Sequence, residues 1–250
     1  MNIQLTDKVA VITGASTGIG AATALAYSDA GAKVVMADIN DLDGQETLKL
    51  IVNNGGEAKY YHTDVTSETD VSALMQTTAD VYARIDILVT CAGVLQGANV
   101  RIEDFDAATF DTVVDVNLKG TFYAVKHAVP IMGKSGGGVI LCIASGAGVQ
   151  GGSSSVAYAS SKGGVNGLVM TVVNQVASLN IRMHTICPGG LATPLKLGQI
   201  AQSAKREGKD PDAAVANAVK SLGDPAGVAR VLTFLASDEG SYVRGMISTR

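Results

Sequence analysis

Residues 153–164, SSSVAYASSKGG, hold a phenol and an ammonium four positions apart, Tyr158 and Lys162, among Ser, Ala and Gly. Side chains at i and i+4 share one face of a helix. A free phenol titrates near pH 10 and is a poor base at neutrality; lowering its pKa by about three units takes roughly 4 kcal/mol of preferential phenolate stabilisation. An ammonium one helical turn away supplies part of that. Two readings fit the segment alone. It is a helix whose Tyr and Lys point at water, or a reaction centre that needs a phenol, an ammonium and room for two ligands among small neighbours.

A second cluster lies near the start. Residues 13–20, TGASTGIG, place Gly14, Gly18 and Gly20 between an apolar run and a helix-like run. A strand–turn–helix junction presents free backbone N–H groups and the positive end of the helix, and glycine lets a pyrophosphate approach the main chain. A glycine-rich turn with no ligand is the plain alternative. Asp38 ends the next apolar run, where a carboxylate can accept hydrogen bonds from both hydroxyls of an adenosine ribose. It would repel a 2′-phosphate, and no Arg or Lys stands at 15–17 or 39–42 to offset that. NAD is favoured over NADP. Asp38 could instead cap the following helix, although Asn40 or Asp41 can do so. Asp64 has two equal readings, a contact to the adenine edge or a cap for the helix starting near Ser67.

These residues need a scaffold. Short apolar runs at 8–13, 33–38, 58–64, 86–93, 138–145, 181–189 and 243–248 read as strands. Their runs of Val, Ile, Leu and Ala lack polar alternation, as in parallel strands covered on both faces. Amphipathic stretches at 19–30, 41–54, 67–83, 105–132, 157–178 and 224–236 read as helices between them. The alternation predicts one α/β domain, residues 1–250, of the doubly wound Rossmann type with a mostly parallel seven-stranded sheet. Residues 193–222 break the rhythm as two helical pieces split by EGKDPD. An insertion after a strand's carboxyl end, where ligands bind in such sheets, predicts a substrate lid; a surface hairpin is the alternative.

The composition narrows the function. The chain is 47% hydrophobic and 17% charged, so it folds around a large core. Its net charge of −4, without a dense basic cluster, argues against nucleic acid. The first residues lack the basic and apolar regions of a signal peptide, and no apolar run is long enough to span a bilayer. Cys91, Cys142 and Cys187 are scattered, without metal spacing, and read as small buried residues. No metal is expected, and the cytoplasm is the expected location.

In these motifs the chain resembles the short-chain dehydrogenases/reductases, over essentially its whole length. The glycine pattern is similar to Gly14-x-x-x-Gly18-x-Gly20, and the active-site pattern to Tyr158-x-x-x-Lys162. Ser145 stands where the family has its serine, about a dozen residues before the tyrosine. Asn117 in DVNLKG resembles the helix asparagine, and Pro188-Gly189 with Thr193 the Pro-Gly motif and its threonine. The chain departs at Thr90-Cys91-Ala92-Gly93, where the family usually reads Asn-Asn-Ala-Gly, and at His184, where Asn is frequent. It ends at MISTR, short of the usual Asp-Gly-Gly tail.

The resemblance implies hydride transfer between NAD(H) and an alcohol or ketone. Tyr158 would be the general acid/base, and the positive nicotinamide of NAD⁺ would join Lys162 in stabilising its phenolate. Lys162 would also bond the nicotinamide ribose. Ser145 would donate to the substrate oxygen, and Asn117 would hold a water that links Lys162 to solvent. Ser16, Thr17, Ile19, Val65, Ala92, Gly93, Pro188, Gly189 and Thr193 complete the cofactor set with the glycines, Asp38 and Asp64. The small residues around Tyr158 would let both ligands lie close. Gln96, Gln150 and Leu191 are the expected pocket residues, and the lack of a placed Arg points to a small neutral secondary alcohol or ketone. A dimer or tetramer is expected. The alternatives are an NADPH-linked 3-oxoacyl reductase, which Asp38 opposes, a non-catalytic dinucleotide sensor, and an epimerase, for which the chain lacks a second domain.

Overall fold

The computed structural model describes residues 3–249. Seven strands form one sheet: β1 (Val9–Thr13), β2 (Lys33–Asp38), β3 (Ala58–His62), β4 (Ile87–Thr90), β5 (Gly138–Ile143), β6 (Ile181–Cys187) and β7 (Gly245–Ser248). Their order is β3-β2-β1-β4-β5-β6-β7. Every pairing is parallel, so the sheet is wholly rather than mostly parallel. The strand order reverses between β1 and β4, where Thr13 pairs with Thr90. At such a switch point the connections leave in opposite directions and a crevice opens at the carboxyl ends of the strands.

Both faces of the sheet are covered, which explains the apolar runs. Strands β1 and β4 are buried at every position. On one face lie α1 (Gly18–Asp29), α2 (Asp41–Asn53) and α10 (Pro225–Ala236), where Tyr27, Ile51 and Leu232 join Ile12, Met36 and Leu141. On the other lie α3 (Glu68–Tyr82), α5 (Gly120–Lys134) and α7 (Val156–Val176), where Met75, Met132 and Val169 join Val11, Leu88 and Ile140. Alternate residues of each strand thus feed opposite cores.

The helix expected at 105–132 is interrupted. It runs as α4 (Ala107–Val114), a π-helical turn (Asp115–Lys119) and α5. A π turn accommodates one extra residue in the hydrogen-bond ladder, and here it contains Asn117. A short helix, α6 (Gly146–Val149), follows β5. The segment after β6 forms α8 (Pro194–Arg206) and α9 (Pro211–Val219), the two helical pieces expected there. Its ends are pinned together: Gly223 N–H donates to Gly190 O and Ala192 N–H to Gly223 O, both at 2.9 Å. Residues 193–222 therefore leave and rejoin the sheet at one place. Among the described residues no helix is long and apolar enough to cross a membrane.

Candidate active site

The glycine loop sits where β1 meets α1. Gly14 has φ +66°, and a Cβ there would lie 2.4 Å from the Ala92 nitrogen. A Cβ on Gly20 would lie 1.9 Å from the Gly14 carbonyl oxygen. These two glycines permit a tight turn against the chain that follows β4. Asp38 closes the far side. Its Oδ2 accepts from Ser16 N–H at 3.0 Å and its Oδ1 from Asn40 N–H at 3.1 Å. Asn40 caps α2 and Ser67 caps α3, so neither Asp38 nor Asp64 is needed as a cap. Asp64 accepts from the backbone N–H and the hydroxyl of Thr66.

These groups line a cavity of about 300 Å³. All of Gly14, Ser16, Thr17, Gly18, Ile19, Gly20, Asp38, Asp64, Val65, Ala92, Gly93 and Thr193 contribute to its wall. A second cavity, of about 450 Å³, is walled by Ser145, Gln150, Tyr158, Lys162, Pro188, Gly189 and Leu191, with Lys196 among the others. Ile19, Cys91, Gly93, Thr193 and Leu195 belong to both walls. The two cavities are thus one groove that runs from Asp38 to Tyr158. Its shape and donors fit a dinucleotide: backbone N–H groups at a helix start for phosphate, and a carboxylate with free lone pairs for a ribose.

The structure gives a different reason for the small residues of 153–164. A Cβ on Gly163 would stand 3.0 Å from the Gly148 oxygen, and one on Gly164 would stand 2.6 Å from Leu118 Cδ2. Glycine lets α7 press against α6 and the π turn, which fixes Tyr158 and Lys162 in place. Ser155 caps α7 by accepting from Tyr158 N–H. Only Ser153 and Ser154 of the leading serines face the cavity.

Lys162 is buried and its Nζ donates to Ile143 O at 2.8 Å, 5.9 Å from the centre of the Tyr158 ring. Burial pulls its pKa down to about 8, partly countered by the thiols of Cys91, Cys142 and Cys187. Burial raises the Tyr158 phenol above its ordinary value, and the Ser145 hydroxyl beside it pulls the other way. Ser145, just past β5, also accepts from Ala147 N–H at 3.2 Å. The arrangement is a phenol between a hydroxyl donor and an ammonium, at the end of a groove.

Two expected site residues stand outside both cavity walls. Asn117 is fully buried and lines neither cavity. Its Oδ1 accepts from Val94 N–H at 2.7 Å, and its Nδ2 donates to Val94 O and Ser161 Oγ, each at 3.0 Å. Both amide N–H donors are committed, so the side chain clamps the loop after β4. Gln96 is exposed and outside the cavity wall; Leu95 takes that place. The Gln96 carbonyl is held by Ser155 Oγ at 2.6 Å, which turns the adjacent side chain, not Gln96, inward.

Cys91, Leu195 and Lys196 are among the wall residues not singled out in the sequence. Cys91 is half-buried at the junction of the cavities, whereas Cys142 and Cys187 are buried as expected. Leu195 and Lys196 come from the first turn of α8. Their only signal was the placement of 193–222 after a strand end. Among the histidines, His62 pairs with Asp41, His127 with Glu68, and His184 is buried.

A short chain dehydrogenase family model matches residues 8–203. (+)-Borneol dehydrogenase 1 of Salvia officinalis is 36% identical over 243 residues, covering 97% of this chain and 92% of that one. The 3-oxoacyl-[acyl-carrier-protein] reductase of Thermotoga maritima is 35% identical over 247 residues, covering 98% and 96%. Among solved structures, a 7α-hydroxysteroid dehydrogenase complexed with NADH and 7-oxo glycochenodeoxycholic acid superposes with a TM-score of 0.85. That match has 32% identity and covers 99% of this chain and 94% of the other.

Proposed function

The chain belongs to the short-chain dehydrogenases/reductases, and we propose that it transfers hydride between NAD(H) and a secondary alcohol or ketone, with Tyr158 as general acid/base. One observation carries this reading. The cavity at Asp38 and the cavity at Tyr158 share walls, so a dinucleotide with its adenosine ribose on Asp38 ends beside the phenol.

The groove residues would hold NAD⁺, which would supply a hydride acceptor and a positive charge. The chain's residues handle the proton. In oxidation, Tyr158 phenolate takes the alcohol O–H proton as the C–H bond breaks, leaving the ketone. In reduction, the phenol returns that proton to the carbonyl oxygen. The Ser145 hydroxyl donates to the substrate oxygen as charge develops on it. Lys162 uses one N–H on Ile143 O and keeps two, one for the nicotinamide ribose. Burial raises the pKa of the phenol, and positive charge nearby favours the phenolate.

Asp38 favours NAD over NADP, since a 2′-phosphate would meet a carboxylate already facing the cavity. Residues 193–222 serve as a lid. Thr193, Pro194 and Leu195 wall the first cavity, Leu195 and Lys196 the second, and Arg206 ties the far end of α8 to Ala98 O at 3.1 Å. NADPH-linked reduction of a 3-oxoacyl thioester is the second reading, favoured by the Thermotoga relative and opposed by Asp38.

The test is consumption of NADH and NADPH against a panel of secondary ketones, with Tyr158→Phe alongside. NADH-dependent turnover that vanishes in the variant supports the reading. Turnover that persists in Tyr158→Phe removes the tyrosine mechanism, and turnover with NADPH alone transfers the reading to the second one.

A further inference from the structure

The wall of the Tyr158 cavity carries charge of one sign. It holds two ammonium groups, Lys162 and Lys196, and no Asp or Glu. Lys162 belongs to the catalytic arrangement. Lys196 does not. It is half-buried in the first turn of α8, and its Nζ donates to Gln199 Oε1 at 3.0 Å. Gln199 in turn donates to Ser203 Oγ at 3.1 Å, so this chain of partners is neutral. Among the described residues no carboxylate forms an ion pair with Lys196. The start of α8 adds the positive end of its helix dipole, although Pro194 lacks an N–H and Thr193 Oγ1 accepts from Lys196 N–H.

A half-buried ammonium with neutral partners, at the wall of a cavity without acids, lacks a counter-charge. Lys196 lines the Tyr158 cavity and not the Asp38 cavity. We propose that the substrate carries an anionic group, a carboxylate or similar oxyanion, which Lys196 binds while the reacting oxygen lies between Ser145 and Tyr158. This narrows the hydride-transfer reading and rests on it. It also departs from the expectation of a neutral substrate, which rested on the lack of a placed Arg.

The experiment compares a series of oxo-carboxylates with their methyl esters, in wild type, Lys196→Gln and Lys196→Glu. Gln retains a polar partner for Gln199 without the charge. Wild type should prefer the carboxylates, and Lys196→Gln should lower their kcat/KM by roughly 10-fold, mainly through KM, because a charge-assisted contact is lost. Esters and NADH affinity should be unchanged, and Lys196→Glu should lower the carboxylates further. Equal loss on acids and esters, or no preference in wild type, overturns the proposal. A parallel measurement needs no turnover: binding of ketone-free carboxylates to the NADH complex, read by NADH fluorescence. If no ketone reacts yet carboxylates bind with the same dependence on Lys196, the hydride reading fails and the anion site stands. If ketones react and neither assay depends on Lys196, the anion site fails alone. Loss of both signals removes both.

Discussion

The Nζ of Lys162 donates to the carbonyl oxygen of Ile143, the last residue of β5, at 2.8 Å. The sheet, not the tyrosine, thus holds the ammonium beside the phenol. This position is costly because the charge is buried and the pKa drops from 10.5 to about 8. Between those values the unfolded chain binds the extra proton, so the penalty is full below about pH 8 and fades as pH rises toward the unfolded value.

Replacing Lys162 by Met should therefore abolish turnover while altering stability in a pH-dependent way. Relative to wild type, the variant should gain up to about 3 kcal/mol near neutrality that it lacks above the unfolded lysine pKa. The lost bond to Ile143 subtracts a constant amount of about 1 kcal/mol. Urea unfolding of both proteins across neutral to alkaline pH measures the gap, and a gap independent of pH would refute the buried charge.

Tyr158→Phe removes the phenol oxygen but keeps the backbone N–H that Ser155 caps, so the fold and the groove should survive. Turnover should fall by roughly 100- to 10,000-fold, the range for loss of a general acid/base. Steady-state rates and NADH titration should separate the two effects; a parallel loss of NADH affinity would mean that Tyr158 holds the cofactor rather than the proton.

Asn117→Ala should act at a distance from the groove. It leaves Val94 N–H, Val94 O and the Ser161 hydroxyl without the amide that joins them. Loss of these buried bonds should destabilise the chain by about 2–4 kcal/mol. Amide exchange at Val94 should quicken, and kcat should fall through the displaced loop. Unchanged protection at Val94 would count against the clamp.

Much of this was legible in the sequence, and the exceptions share physical causes. The apolar runs predicted the strands because both faces of the sheet are buried. The break at 115–119 was not legible, since one extra residue in a helical turn leaves apolar spacing nearly unaltered on either side. Helix α6 is made of Gly, Ala and Val, too short to have a period. Gln96 was misplaced because a loop has no fixed alternation, so the inward residue, Leu95, differed from the expected one by a single position. Lys196 was not singled out because the lid expected at 193–222 was read as a whole, and only the pinned ends of that segment show which of its residues reach the pocket.

The most direct test of the account is NADH and NADPH fluorescence titration in wild type and Asp38→Ala. Asp38 faces the first cavity while holding Ser16 N–H and Asn40 N–H, so it shapes the loop and, in the proposed reading, binds the ribose. Wild type should bind NADH at least about 10-fold tighter than NADPH, one bonded and unrepelled ribose being worth at least about 1.4 kcal/mol. The variant should lose NADH affinity and most of that discrimination. Equal or tighter binding of NADPH to wild type, or a preference untouched in Asp38→Ala, would contradict a groove that runs from Asp38 to Tyr158 and is built for NAD(H).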